Sequence, residues 1–185
     1  MISMPTNLYH YYEAEVGPFK TLSDLSIEEA EKALDRIRAK GETYASKRSV
    51  DYMIVRRELE KKVRELFIDN GGQPLRQSPY SMTLGPCNWI KDWYKDGQEL
   101  NIPICQFDPQ ILSFTYGDIF PAMRYEDGKP YSKKVYTLEE IKKVVELYGL
   151  PQNWNSDGSK GPKRYIEVQI WSDDPIRKYF EFRSI

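Results

Sequence analysis

The sequence predicts an α+β fold in which a mixed or antiparallel sheet packs against about three helices. Three segments have helical periodicity, and several short strands lie before, between and after them. The order is one strand, two helices, several strands, one helix and more strands, which differs from the regular alternation of a doubly wound sheet. At 185 residues, the chain is predicted to form a single globular domain over 1–185.

The first half of the chain is predicted to contain one strand and two helices. The stretch NLYHYYE, residues 7–13, is rich in strand-forming residues. A capping box of Ser26 and Glu29 opens the first helix, predicted over 26–40. The second helix is predicted over 50–69, with an apolar stripe that begins at Tyr52. Its charged residues are expected to form a solvated face, which contains Arg56, Glu60, Lys61 and Arg64.

The middle of the chain is predicted to contain strands and one hairpin. A short strand is expected over 80–84 and a second in QILSFTYGD, residues 110–118. A hairpin is expected over 121–137, because Asp127 and Gly128 form a dipeptide that favours tight turns.

The last quarter is predicted to contain the third helix and the clearest strand. The helix is expected over 138–148, after a Thr-x-x-Glu capping box. The strand is YIEVQIW, residues 165–171, and the tail over 177–185 is predicted to be a last strand. The residues expected to face the helices are Ile166, Val168 and Ile170. The residues expected on the opposite, polar face are Tyr165, Glu167, Gln169 and Trp171.

Composition argues against several classes of partner. Lysine and arginine number 27 and aspartate and glutamate 28, a net charge of -1, so no basic surface for nucleic acid or anionic lipid is indicated. No apolar run approaches the roughly 20 residues that span a bilayer. The amino-terminal residues do not have the pattern of a secretory signal. We therefore predict a cytoplasmic protein without a nucleic-acid or membrane partner.

Histidine and cysteine are scarce, which argues against a metal site. The chain has Cys87, Cys105 and His10, and none of them belongs to a CxxC or HxxxH pair. Nothing around either cysteine marks an activated thiolate. We predict reduced thiols and no bound metal.

Aromatic residues are abundant and support a binding cleft as the leading functional hypothesis. They make up 14% of the chain, and 14 of them are tyrosines, which suit half-buried positions. Two interpretations stay open, a tyrosine-rich sheet surface and an aromatic cleft for an unknown small molecule or protein partner. Trp89 and Trp93, on a short predicted helix, could equally point into the core. The candidate ligand-binding residues are Tyr12, Trp89, Trp93, Tyr116, Asp118, Tyr165 and Trp171.

Three residues on separate predicted strands suggest an enzymatic alternative. His10 lies on an early strand, Tyr80 on a middle strand and Glu167 on a late strand, with Tyr44 and Tyr52 as alternatives to Tyr80. This set resembles the active site of ADP-ribosyltransferases, as does the opening LYHYYE followed by a helix. The resemblance implies that His10 and Glu167 hydrogen-bond the ribose next to nicotinamide. It implies a transferase or hydrolase that acts on NAD or a related nucleotide, with Glu167 stabilising an oxocarbenium-like ribose.

A second resemblance covers most of the chain. The stretches LYHYYE, FTYGDIFP, YGLPQNWN and YIEVQIW resemble an uncharacterised bacterial protein family. This resemblance implies a bacterial, stand-alone protein and no particular activity.

Strand alternation gives a specific hypothesis for His10, the only histidine. Leu8, His10 and Tyr12 are predicted to share one strand face, and Tyr9 and Tyr11 the other. Covering both faces would require partners for several polar side-chain tips, and each unpaired buried tip costs about 1–3 kcal/mol. We therefore expect His10 to face a cleft; the alternative is a neutral imidazole bonded inside the core.

Overall fold

A five-stranded antiparallel sheet is the centre of the computed structural model, which describes residues 3–180. The strand order is β3-β1-β2-β5-β4. The strands are β1 (Asn7–Glu13), β2 (Tyr80–Leu84), β3 (Gly97–Pro103), β4 (Leu112–Tyr116) and β5 (Ile166–Ile170). Together with the helices, this sheet confirms the predicted α+β class.

Three long helices and three short ones accompany the sheet in the described part of the chain. They are α1 (Ile27–Lys40), α2 (Tyr52–Asp69), α3 (Asn88–Lys91), α4 (Ile119–Arg124), α5 (Leu138–Tyr148) and α6 (Pro151–Trp154). The long helices α1, α2 and α5 confirm the three predicted ones. Both predicted capping boxes form, so the side chains of Ser26 and Thr137 accept from the backbone N–H groups of Glu29 and Glu140.

The predicted division of β5 into two faces is confirmed. Val168 is aligned with Met82 and Phe114, whereas Glu167 is aligned with Thr83 and Thr115 on the other face. Both faces are buried, however, and Glu167 is only 3% exposed. The reason is that helices cover both sides of the sheet, and not the Val168 face alone.

Contacts to the strands show which helix covers which face. Tyr116 is aligned with Ile166, and its hydroxyl donates to the carbonyl of Gly149 just after α5, so α5 lies on the Val168 face. The backbone N–H of Ile119, the first residue of α4, donates to Glu167. Helix α2 contacts α4, so both lie on the side of the sheet from which Glu167 projects.

Fully buried polar side chains on the Glu167 face form hydrogen bonds with one another. The Ser113 hydroxyl donates to Gln169 at 2.7 Å, and the Gln169 amide donates to Thr115 at 3.0 Å. The Trp171 indole donates to Ser113 at 2.8 Å. This network explains how a polar strand face can be buried without large cost.

The predicted hairpin over 121–137 is wrong, because α4 occupies its first part. Asp118 caps this helix by accepting from the Phe120 N–H at 2.8 Å. Only Tyr136 pairs with the sheet, through an isolated bridge to Phe114. The intervening loop is held instead by Asp127, whose carboxylate lies 2.7 Å from the ammonium of Lys163.

Two further elements differ from the sequence-based expectations. Strand β3 was not predicted, although it pairs with β1 along all seven of its residues. The tail contains a 3-10 helix, Asp174–Tyr179, where a strand was expected, and residues 181–185 of that prediction lie outside the described residues. No helix within residues 3–180 is long and apolar enough to cross a membrane.

Candidate functional site

A cavity of about 850 Å³ lies between the sheet and helices α1 and α2, and residues of both sheet faces line it. Strands β1, β2 and β5 supply its floor, and α1, α2 and the start of α4 supply its walls. Its polar lining includes Ser81, Thr83, Glu167, Asp118, Arg56 and Glu60. Its aromatic lining includes Tyr11, Tyr52, Trp93, Tyr94, Phe120 and Tyr165.

Glu167 is the central polar group of the cavity floor. One carboxyl oxygen accepts from the Ser81 hydroxyl at 2.8 Å, and the other accepts from the Ile119 N–H at 3.1 Å. Burial and the nearby Asp118 carboxylate raise the pKa of Glu167 from its ordinary 4.5 to about 8, although both hydrogen bonds oppose the shift. At neutral pH most molecules therefore have a protonated Glu167.

Asp118 lies beside Glu167 because β4 ends at Tyr116 and a glycine turn leads into α4. Its two carboxylate oxygens accept from the Phe120 N–H at 2.8 Å and from the Tyr165 hydroxyl at 3.0 Å. Burial and the neighbouring Asp118 raise the pKa of Tyr165 well above its usual range, so this phenol stays protonated and donates to Asp118. Asp118 therefore both caps helix α4 and lines the cavity.

Helix α2 presents polar residues to the cavity at every fourth position. Tyr52, Arg56 and Glu60 all line it, and Arg56 Nε lies 2.8 Å from Glu60 Oε1. Glu60 is 3% exposed and also accepts from the Ser23 hydroxyl at 2.9 Å. The prediction that Arg56 and Glu60 belong to a solvated face is therefore wrong, because a neighbouring sheet and loop cover that side of the helix.

His10 lies at the edge of the cavity, but backbone groups occupy its ring nitrogens. Nδ1 lies 3.1 Å from the carbonyl oxygen of Ser81, and Nε2 accepts from the N–H of Phe19 at 2.8 Å. These roles require the neutral tautomer with hydrogen on Nδ1. Burial lowers the pKa of His10 to about 4, against a smaller opposing effect of the Ser81 bond. The imidazole acts as a structural link between β1, β2 and the loop that contains Phe19.

Tyr80 lines the cavity next to the same loop, on the strand face opposite to Glu167. Its ring contacts Phe19 edge-on with centroids 5.7 Å apart, and the Arg76 guanidinium lies 4.0 Å from its centre. Its hydroxyl donates to Asp173 at 3.0 Å. The phenol of Tyr80 therefore points to Asp173, away from Glu167.

Ser81 forms hydrogen bonds with two of the three residues predicted to be catalytic. Its carbonyl accepts from His10 and its hydroxyl donates to Glu167, so these two side chains approach the same residue from different directions. Tyr80 is the preceding residue, with its side chain on the other face. The structure thus brings the three residues to one region, with Glu167 on one face of the sheet and His10 and Tyr80 on the other.

The other predicted binding residues divide into two groups. Four line the cavity, namely Tyr12, Trp93, Asp118 and Tyr165. Trp89 packs instead under the guanidinium of Arg164, 3.8 Å from the ring centre. Tyr116 and Trp171 have no exposed surface and belong to the hydrophobic core. Within residues 3–180, no group of three or more histidine, cysteine, aspartate or glutamate side chains could hold a metal ion.

Several cavity residues were not identified from the sequence. Ser81 is one, and Arg56 and Glu60 on α2 are two more, beside Tyr52. The available signal was the spacing of four between a tyrosine, an arginine and a glutamate, which equally fits an exposed helix face. Comparisons with protein-family models, curated proteins and solved structures found no match to this chain.

Proposed function

We propose that the protein binds a small organic molecule in this cavity and that Glu167 transfers a proton to or from it. The observation that carries the proposal is a buried glutamic acid, bonded by Ser81 and Ile119, that lines a cavity of about 850 Å³ beside Asp118, where burial raises its pKa. Buried carboxyl groups with strongly raised pKa values are typical of acid–base residues in active sites.

The neighbouring position on the same strand face argues against a purely structural role. Gln169 is also fully buried, and its amide is satisfied by Ser113 and Thr115 without any ionisable group. A glutamine at position 167 could similarly bond Ser81 and Ile119 at lower cost to stability. The presence of a carboxyl group at Glu167 therefore supports a chemical function.

The pair of Glu167 and Asp118 is suited to reactions that need an acid and a negative charge together. A protonated Glu167 can donate to a leaving group, and the Asp118 carboxylate can stabilise positive charge that develops nearby. Cleavage of a glycosidic bond, through an oxocarbenium-like transition state, has these requirements.

A second candidate is a transferase or hydrolase acting on NAD or a related nucleotide. The position of Glu167 in the cavity, with aromatic rings on the walls, favours it. In this version His10 does not contact the ribose, since its nitrogens bind Ser81 and Phe19. His10 instead holds β1, β2 and the loop that contains Phe19 together at the edge of the cavity.

A ligand screen with matched variants tests the proposal. Wild type, Glu167→Gln and the exposed control Glu99→Gln are screened by thermal shift with NAD, ADP-ribose, nicotinamide and a library of glycosides. A ligand at about 100 times its Kd stabilises the folded state by about 2.7 kcal/mol, which raises the Tm by a few degrees. Any compound that binds is then incubated with each variant, and its products are followed by NMR.

We expect conversion by wild type and Glu99→Gln, and binding without conversion by Glu167→Gln. Equal conversion by Glu167→Gln would exclude Glu167 as the acid–base group. An infrared titration that places the Glu167 carboxyl at its ordinary pKa near 4.5 would also contradict the proposal.

A further inference from the structure

The side of the cavity formed by α1 and the segment before α2 contains cationic side chains that have no ion-pair partner in the described chain. Arg48 lines the cavity and has no carboxylate within ion-pair distance among residues 3–180. Its guanidinium lies 4.4 Å from the centre of the Tyr52 ring. Arg36 and Lys40, four residues apart on α1, line the same cavity and also have no ion-pair partner in the described chain. Like charges at this spacing repel each other in a helix unless an anion lies between them.

Arg56 adds a second guanidinium to this side. Its Nε binds Glu60 and one terminal nitrogen donates to Thr21 at 2.9 Å, whereas Nη1 has no hydrogen bond in the described chain. Arg56 is one helical turn after Tyr52, so both side chains face the same way. The ion pair with Glu60 fixes the guanidinium in place and leaves Nη1 available.

The pKa of Tyr94, which also lines the cavity, is affected by these two arginines. Burial raises the pKa of Tyr94, and the largest opposing effects come from Arg48 and Arg56. The effect of the Glu13 carboxylate is smaller. Tyr94, Arg48 and Arg56 all line the cavity, and the Tyr94 phenol can itself donate a hydrogen bond. Two guanidinium groups and a phenol are donors suited to an oxyanion.

The aromatic neighbours make this subsite rigid. The rings of Tyr52 and Phe120 stack with centroids 5.2 Å apart and planes 3° from parallel. Arg48 packs on Tyr52, so the position of its guanidinium is set by the ring beneath it. The Arg48 guanidinium is thus held by packing, and the Arg56 guanidinium by its ion pair with Glu60.

We infer that the cavity binds a small molecule carrying an oxyanion, a phosphate or a carboxylate, whose charged end contacts Arg48 and Arg56 and whose reactive end faces Glu167. This inference rests on the proposed function for the location of the ligand, and adds its charge and orientation. Arg48 and Arg56 attract the anionic end and the Asp118 carboxylate beside Glu167 repels it, so such a ligand is oriented in one direction only.

Titration calorimetry at fixed ionic strength tests the inference with two probes, inorganic pyrophosphate and malonate. The proteins are wild type, Arg48→Gln and Arg48→Lys, with Arg177→Gln as a control for charge outside the cavity. We expect saturable binding of at least one probe to wild type, and a Kd raised about tenfold or more in Arg48→Gln. Arg48→Lys should lose less affinity, and Arg177→Gln should bind like wild type.

The outcomes separate the inference from the proposed function. Stronger binding of pyrophosphate indicates a phosphate ligand, and stronger binding of malonate indicates a carboxylate. If neither probe binds wild type, or if Arg48→Gln binds as tightly as wild type, the oxyanion subsite is disproved even where Glu167 is essential for conversion. If the probes bind as expected and Glu167→Gln converts substrate normally, the proposed acid–base role fails and the subsite stands.

Discussion

The His10 ring stacks on the Phe19 ring with centroids 4.0 Å apart, while its Nε2 accepts from the backbone N–H of the same residue. Phe19 has a positive φ of 56°, a backbone conformation that residues other than glycine rarely adopt. The imidazole therefore compensates a strained backbone position by both packing and hydrogen bonding. This arrangement is available only to neutral histidine, because a protonated Nε2 cannot accept.

The free energy of unfolding should fall in acid because of His10. The folded pKa of about 4 is below the ordinary 6.5, so the unfolded chain takes up the proton first. The contribution is complete above pH 6.5 and is lost as the pH falls towards 4, by about 3 kcal/mol in total. Urea unfolding of wild type and His10→Gln between pH 4 and 7 measures it, and the variant should lack this component. A histidine NMR titration with a midpoint near 6.5 would contradict the assignment.

Glu167 should produce a pH dependence of the opposite sign. Its folded pKa of about 8 exceeds the ordinary 4.5, so its contribution is complete below pH 4.5 and is lost as the pH rises through 8. Between pH 5 and 8 wild type should lose at least about 1 kcal/mol relative to Glu167→Gln, whose amide has no charge to bury. Chemical denaturation at both pH values checks the difference. The same slope in both proteins would show that Glu167 is ionised in the folded state.

Ser81→Ala should raise the pKa of Glu167 further. The Ser81 hydroxyl donates to the carboxyl at 2.8 Å and favours the charged form, so its removal favours the proton. Infrared detection of the protonated carboxyl as a function of pH measures the change. Thr83→Ala is the matched control, because Thr83 is aligned with Glu167 but its hydroxyl donates to the Gly85 carbonyl. Similar titration curves for the two variants would exclude a special role for Ser81.

Gly117→Ala should destabilise the turn that presents Asp118. The glycine has φ of 115°, and an added Cβ would lie 2.9 Å from Cγ of Lys163. We expect a loss of about 2 to 3 kcal/mol from backbone strain and the contact together. Gly128→Ala is the control, since its φ is also positive at 65° but nothing lies within 4 Å of an added Cβ. It should cost about 1 kcal/mol, and an equal loss in thermal unfolding would show that the Lys163 contact is unimportant.

Features encoded by local pattern could be predicted from the sequence. The capping boxes at Ser26 and Thr137 give helix starts, because the cap depends only on residues three positions apart. The alternation in β5 places Glu167 opposite Val168, since the period of two holds in any strand. The choice of His10 and Glu167 as candidate catalytic residues rests instead on the resemblance to ADP-ribosyltransferases, and the alternation only places them on strand faces.

Features that depend on long-range contacts could not be predicted. Strand β3 has no alternating pattern and is a strand because it pairs with β1. The Asp127-Gly128 dipeptide favours a hairpin locally, but the cap from Asp118 starts a helix before it. Arg56 and Glu60 form an ordinary i,i+4 pair in sequence, and only the sheet opposite α2 makes them part of a cavity.

The short contact between β1 and β2 has a consequence for how the molecule opens. The two strands share two register pairs, at Leu8 and Tyr9, whereas β1 and β3 share seven. Beyond Tyr9 the His10 side chain takes the place of the ladder by bonding the Ser81 carbonyl. The sheet therefore has a seam, with β1 and β3 as a paired unit on one side. Amide hydrogen exchange should reveal that pair detaching together, and the gap so formed would expose Ser81 and admit solvent to the cavity beneath.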